Sequence, residues 1–430
     1  MLGLIFTYAL TYGGALVSLF NPFVGLLIYV AFAIIKPEAM WWWSVPHGNY
    51  SRIVAIALLI GWMLHGFGRW NFGRARAIVF ALVGFWLWSV ASAMNAPNEQ
   101  VAWLFVENTA KVLIPFFVGI TLIDSVKKLK QLAWVLMLSL GYVAYEMNLS
   151  YWEGFNRVHL MGFAGMDNNS IAIAMVVGVG LAFFLGVIEG RWWLRGLAWL
   201  ATLLLAHTVL LSFSRGGMLA LIITGVVSFF LLPSKQPKQM LAFIAVVLIA
   251  FRLAGPEVSE RFMTTFADTQ ERDASAQVRV DLWEDAWDTM KSYPILGVGP
   301  DHWPLMAPEY GWKKGQEAHS LWLQTGAELG FPGVGLLGLF YTLCLARLWQ
   351  VVRGKVKVND PWLQNVGRMV IAGLVGFIIA GQFVSLEGLE VPYYITLLGV
   401  GALKLLPSPD PVHSKTRVPA LGTNYTLERA

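Results

Sequence analysis

The chain has 430 residues, of which 57% are hydrophobic and only 13% charged, with 20 tryptophans and a formal net charge of +5. Soluble domains carry roughly 25% charged residues, so this composition excludes a soluble globular protein and points to an all-α polytopic membrane protein. The basic residues fall in short clusters between apolar runs rather than on one face, a pattern of membrane topology signals that argues against nucleic acid as a partner.

Apolar stretches near the ~20 residues that a bilayer-spanning helix needs recur along the chain. They cover 3–19, 23–36, 53–67, 77–95, 110–124, 131–147, 170–187, 193–211, 216–232, 239–253, 331–349, 366–385 and 390–406, about 12 or 13 transmembrane helices. The first of them lacks a basic leader and a small-residue cleavage site and reads as an uncleaved helix. Asn21-Pro22 then makes either a tight hairpin or a break within one helix. From the third stretch onward, alternate loops carry Arg69/Arg74/Arg76, Lys127/Lys128/Lys130, Arg191/Arg195, Lys235/Lys238 and Arg353/Lys355/Lys357, and the positive-inside rule makes these cytoplasmic. The complementary loops, 36–52, 95–109, 148–169, 212–215, 254–320 and 386–389, face outward. Trp41-Trp42-Trp43 and Trp192-Trp193 suit interfacial aromatic belts better than carbohydrate stacking. Cys344, the single cysteine, sits inside an apolar stretch, so there is no disulfide framework. The chain divides into an amino-terminal bundle (1–253), a large outward loop (254–320), carboxy-terminal helices (321–406) and a Pro-rich polar tail (407–430) expected to be a disordered cytoplasmic end.

Against this apolar background a few polar residues stand out. Ser214-Arg215-Gly216-Gly217 opens a helix on the outward side, where a fixed charge joins the free N–H groups of a helix amino terminus and the glycine pair lets backbone approach a ligand. Such an arrangement suits phosphate, and a lipid-headgroup anchor is the competing reading. In the large loop, Asp273–Tyr293 reads as an amphipathic helix with Trp283, Ala286, Trp287 and Met290 on one face and Asp281, Glu284, Asp285 and Asp288 over much of the rest. Arg279 shares the apolar face and points back at the membrane body, although a shift at the helix start would bring Arg272 there instead. Pro294 stops this helix and Gly297-Val298-Gly299-Pro300-Asp301 turns before His302. His319 heads a further helix through Trp322, Leu323 and Gly326, which Gly330-Phe331-Pro332-Gly333 interrupts as a kink or a re-entrant turn.

Other polar residues carry weaker signals. Asp167-Asn168-Asn169 is spaced to cap a helix. Glu387 and Glu390, between the last two helices, are either acceptor contacts, a base, or ordinary interfacial carboxylates, and Arg157 with His159 has similar secondary standing. Glu38 is the lone acid of the first outward loop, Glu271-Arg272-Asp273 reads as a helix cap or solvated face, and His302 and His319 lack zinc-ligand spacing. No metal and no cofactor are expected.

Taken in order, Phe213-Ser-Arg-Gly-Gly-Met218, Arg279 through Trp283, Tyr293-Pro-Ile-Leu-Gly-Val-Gly299, Ala318-His-Ser-Leu-Trp-Leu-Gln324 and Glu328-Leu-Gly-Phe-Pro-Gly333 resemble the O-antigen ligase and Wzy-type polymerase superfamily over residues 165–350. Asn21-Pro-Phe-Val-Gly25 and Lys36-Pro37 before the tryptophan run are similar, more loosely, to the O-glycosylation ligases found beside exosortase systems.

The resemblance implies a C-type glycosyltransferase of the bacterial inner membrane, working on the periplasmic face without a metal. The donor would be a glycan on undecaprenyl pyrophosphate and the acceptor a hydroxyl of lipid A-core, of a protein or of another glycan, among membrane lipids. Arg215 and Arg279 match the family's phosphate-binding arginines. His319 matches its essential histidine, which acts either as general base or as a phosphate contact. A single displacement would invert the anomeric centre. Polymerisation of lipid-linked repeat units is the nearest alternative to a single ligation. Transport of a lipid-linked glycan is the alternative of another class, though outside His65 and His207 the membrane segments hold few of the ionisable groups that coupled transport uses.

Overall fold

In a computed structural model the chain is described over residues 2–233, 274–385 and 389–407, with scattered positions between 237 and 252. These residues form helices and no strand, apart from a single bridge between Phe163 and Met166. Hydrocarbon offers no water to backbone N–H and C=O groups, so each apolar stretch closes its hydrogen bonds internally.

Helix α1 (Leu2–Tyr8) runs through a π-helical turn at Ala9–Gly13 into α2 (Gly14–Phe20). Asn21 leaves helical geometry and its side chain accepts from Val24 N–H at 3.3 Å, capping α3 (Pro22–Ile35). Gly14 faces Ile28 while Gly25 faces Ser18, so α2 and α3 run antiparallel. Of the two readings of Asn21-Pro22, the chain adopts the tight hairpin.

Then follow α4 (Pro37–Met40), α5 (Tyr50–Leu64), α6 (Arg76–Ala93), α7 (Glu99–Leu122), α8 (Val126–Trp152), α9 (Arg157–Met161), α10 (Asn168–Ile188), α11 (Trp192–Leu211) and α12 (Arg215–Leu231). After residue 273 come α13 (Ala274–Ser292), α14 (Trp303–Met306), α15 (Leu321–Val352), α16 (Pro361–Ala380) and α17 (Glu390–Lys404). Among the described residues, 9 spans are long and apolar enough to cross a membrane, and α5 and α12 are shorter apolar helices. Every expected stretch coincides with a described helix except 239–253, which lies largely outside the described residues, as do the tail from residue 408 and Glu271-Arg272-Asp273. Helix α16 begins at residue 361 rather than the expected 366, because Asp360 accepts from Trp362 N–H at 2.8 Å and Pro361 occupies the first turn, where its missing N–H costs nothing.

The most apolar helix, α10, forms the centre, flanked by α8, α11, α12 and α16. A helix hydrophobic all round is a buried one. Basic clusters gather at one end of the bundle. There Lys404 Nζ donates to Arg69 O at 3.0 Å, Arg347 Nη1 to Arg74 O at 2.9 Å and Arg74 Nε to Pro407 O at 3.1 Å, while Lys130 lies over the Trp362 ring.

Helix α15 is kinked at Gly330, whose φ of 69° and ψ of −176° are non-helical. A side chain at Gly330 would run into the carbonyl of Ile295, and Phe331 N–H donates to Pro294 O at 2.9 Å, so the segment after α13 fills the kink. Pro332 has no N–H to lose there. The described part of the large loop does not stand apart from the bundle: Leu282, Ala286, Trp303 and Ala318 form a small core with Ala327 of α15. This packing also shifts the buried face of α13 from the expected one. Leu282, Ala286, Thr289 and Met290 are buried, whereas Trp287 is 43% exposed and Trp283 lies at the margin. Met290 points at Gly326 of α15, and Asp285, expected on the free surface, accepts from Trp312 Nε1 at 2.7 Å.

Candidate functional site

The turn before α12 is strapped to the start of α10. Asn168 Nδ2 donates to Ser212 O at 2.8 Å, Ser212 Oγ accepts from Ser214 N–H at 3.1 Å, and Ser214 Oγ accepts from Gly217 N–H at 3.2 Å as the helix cap. Phe213, with a φ of 53°, reverses the chain so that Arg215 emerges half-buried at the first position of α12. The glycine pair is also needed for packing. A Cβ on Gly216 would lie 2.7 Å from Phe383, and one on Gly217 would lie 2.7 Å from Ala172. Phe383 in turn packs against Trp283 with ring centroids 6.2 Å apart, one turn beyond Arg279 on α13. The starts of α12 and the face of α13 that carries Arg279 thus meet around one aromatic pair.

His319 sits in a strained left-handed conformation, φ 51°, that only surrounding structure can maintain. Its neighbours supply that constraint. Ala318 N–H donates to Gln324 Oε1 at 3.0 Å, Ser320 N–H to Ser385 Oγ at 3.2 Å, and Leu321 N–H to Gly381 O at 2.8 Å. Ser320 also caps α15 through Leu323 N–H. The His319 ring touches Gln316, with Nε2 atoms 3.3 Å apart. Burial, and then the positive charge of Arg279, hold its pKa below the ordinary 6.5, while Asp167 pulls the other way. The imidazole is therefore neutral near pH 7, with Arg279 and Asp167 as its charged neighbours.

Four residues around His319 have a place there that the sequence does not reveal. Asp167 does cap α10, accepting from Ser170 N–H at 2.8 Å, but it also faces His319. Burial raises its pKa, yet hydrogen bonds from Ser170 and Asn169 outweigh this and keep it ionised. Glu317 has a pKa pushed up to about 7, by desolvation first and then by Asp167 and Asp301, although part of its surface is open to solvent. Asp301 (φ 57°) is itself raised by burial. Ser385 anchors the backbone beside His319 from the far hairpin. An acid two places before the histidine was visible in the sequence, whereas nothing there placed Asp167 or Ser385 beside it.

Glu328 and His302 frame the site. Glu328, 1% exposed, accepts from Asp301 N–H at 2.8 Å and Trp303 N–H at 3.3 Å. His302 Nδ1 lies 2.8 Å from Pro300 O and Nε2 accepts from Asn98 N–H at 3.0 Å, which fixes a neutral ring protonated on Nδ1. Ser92 Oγ donates to Leu296 O at 2.6 Å and Trp88 Nε1 to Leu329 O at 2.9 Å. The segment 296–303 is thereby held between α6, α7 and α15.

Two of the secondary candidates have partners of their own. Arg157 donates from Nη2 to Ala39 O at 2.9 Å and lies over the Phe163 ring, tying α9 to the first outward loop. Glu390 pairs with Lys36 at 3.9 Å. Glu387 lies outside the described residues.

Two family models match the chain. Residues 1–150 match a family of unknown function, DUF5935, and residues 200–340 match the family described as O-antigen ligase. No match was found among curated proteins. Arg215, Arg279, His319 and the kink of α15 at Gly330 fall within the second match, and over that region the chain is similar to the O-antigen ligase family.

Proposed function

We propose that the chain is a glycosyltransferase of the bacterial inner membrane that, on the periplasmic face, moves a glycan from undecaprenyl pyrophosphate to an acceptor hydroxyl of lipid A-core or protein. The observation that carries this reading is the neutral, strained His319 beside Arg279, with Arg215 at the amino terminus of α12 across Phe383 and Trp283. The donor sugar is already activated by its leaving group. As the bond from C1 to the pyrophosphate oxygen breaks, negative charge grows on the phosphates, and Arg215, Arg279 and the first N–H groups of α12 are suited to hold it. His319, unprotonated near pH 7, is suited to take the proton of the attacking hydroxyl. Attack by that hydroxyl opposite the departing pyrophosphate inverts C1 in one step, with no covalent sugar intermediate. No step of this scheme draws on a metal ion.

Purified protein in lipid, given labelled undecaprenyl-pyrophosphate oligosaccharide with and without lipid A-core, tests the proposal. One discrete product that requires lipid A-core is expected, and Arg215→Ala or His319→Ala should abolish it at unchanged protein level. A ladder of longer lipid-linked glycans without added acceptor would instead identify a polymerase. Undiminished turnover in both variants would overturn the site.

A further inference from the structure

A cavity of about 520 Å³ lies between α3, the loop after α4 and the start of α17. Tyr29, Trp42 and Tyr50 supply aromatic walls, and Lys36, Glu38 and Glu390 supply charge. The charged groups are held in pairs rather than dispersed, Lys36 with Glu390 at 3.9 Å and Glu38 with His47 at 3.6 Å. Lys36 is placed there by a left-handed backbone, φ 44°, at the junction of α3 and α4. The tryptophan run divides accordingly. Trp41 packs against Tyr142, whereas Trp42 is 67% exposed and lines the cavity.

A neighbouring cleft of about 400 Å³ shares Tyr29 and Ser51 with this cavity. It runs between α5 and α7, with Arg52 at the start of α5, Glu107 and Lys111 midway along α7, and Leu58, Ile114 and Val118 further along the two helices. Charged groups followed by apolar walls match a molecule whose head lies at the membrane surface and whose chains lie in hydrocarbon. Residues that line the cavity are close in sequence to residues around His319. Ala164 lines the cavity, and Asp167, three residues on, faces His319. Glu390 lines the cavity, and Ser385, five residues before it, holds Ser320.

We infer that this cavity binds the sugar head of a glycolipid acceptor, with the lipid chains leaving through the cleft between α5 and α7. Aromatic faces stack on the apolar C–H face of a sugar ring, and carboxylate and ammonium groups take up its hydroxyls, which a plain phospholipid head lacks. The assignment rests on the transferase reading for the word acceptor, while the binding itself does not.

Native mass spectrometry of the full chain in a sugar-free detergent provides the test. The probes are a lipopolysaccharide that carries only inner-core sugars, undecaprenyl pyrophosphate, and phosphatidylglycerol. Trp42→Ala, whose side chain is largely exposed, and Glu390→Gln should each weaken the lipopolysaccharide adduct about tenfold and leave the undecaprenyl pyrophosphate adduct unchanged. Arg215→Ala should do the reverse. A lipopolysaccharide adduct untouched by both cavity variants would overturn the inference. So would its displacement by phosphatidylglycerol, which would make the cavity an ordinary phospholipid site. A wild-type chain that binds lipopolysaccharide in this pattern but not undecaprenyl pyrophosphate would remove the transferase reading and leave the cavity assignment standing.

Discussion

His319 has its proton affinity set by two opposed neighbours, and each can be removed separately. Burial and Arg279 lower its pKa below 6.5, and Asp167 raises it. If the neutral ring is the base, the acid limb of the kcat profile lies below pH 6.5. Replacing Arg279 with Gln should move that limb upward, and Asp167→Asn, which keeps a helix cap, should move it further down. A pH–rate series on the residual activities reads both shifts, and limbs that stay put would take His319 out of the proton transfer. Glu317 offers a stability readout at the same place. Its folded pKa of about 7 lies above the ordinary 4.5, so the folded state holds a proton the unfolded state has lost between those values. Stability contributed by that proton is complete below pH 4.5 and disappears as the pH rises through about 7. Glu317→Gln should therefore raise Tm at pH 8 and leave it nearly unchanged at pH 4, with solvent access to the carboxylate trimming the gain. Of these residues the sequence disclosed Arg215 and His319 as unusual charges in apolar surroundings. It could not disclose Asp167 as more than a cap, because a cap is fully explained by local geometry.

At the level of single elements, the kinked α15 and the segment it holds decide where the chemistry can occur. Glu328→Ala would leave the N–H groups of Asp301 and Trp303 without their acceptor in a buried place, at a cost of about 1–3 kcal/mol for each. Denaturation of the variant in detergent should show that loss, and activity should fall with it as segment 296–303 loosens. Glu328→Gln, which keeps one acceptor oxygen, should fall between. Glycine and proline make the kink legible in sequence, since neither sustains a helix interior. The buried stripe of α13 was less legible: Leu282 and Thr289 alternate with Trp283 and Trp287 at the same helical period, and the packing of Leu282 and Ala286 with Trp303, Ala318 and Ala327 picks the face. Helix α16 begins five residues before its apolar stretch because Gln364, Asn365 and Arg368 interrupt the hydropathy of its opening, while its start signals, Asp360 and Pro361, are in plain view.

For the whole molecule, the sequence carried the all-helical class and the order of the described apolar helices well, because hydropathy is a local property. It carried their assembly poorly, since the site draws on Asp167, Arg215, Arg279, His319 and Ser385 from separate parts of the chain. The proposed sidedness can be checked directly. In a Cys344→Ala background, Glu309→Cys should react with a membrane-impermeant maleimide on intact spheroplasts, and Lys355→Cys only after permeabilisation. Equal labelling of both positions would overturn the orientation and with it the periplasmic site.

The bonds that hold segment 296–303 cross the boundary between the two matched regions. Trp88, Ser92 and Asn98 lie within residues 1–150, and the groups they hold, Leu329, Leu296 and His302, lie within residues 200–340. The two regions are thus constrained to be inherited together. A genetic exchange that replaced the first with a counterpart lacking Trp88 and Ser92 would leave the second without the indole and hydroxyl that help hold its segment, whereas the backbone N–H at position 98 survives any substitution but proline. Surviving recombinants should therefore have crossed over outside this pair of regions, or have retained those two side chains.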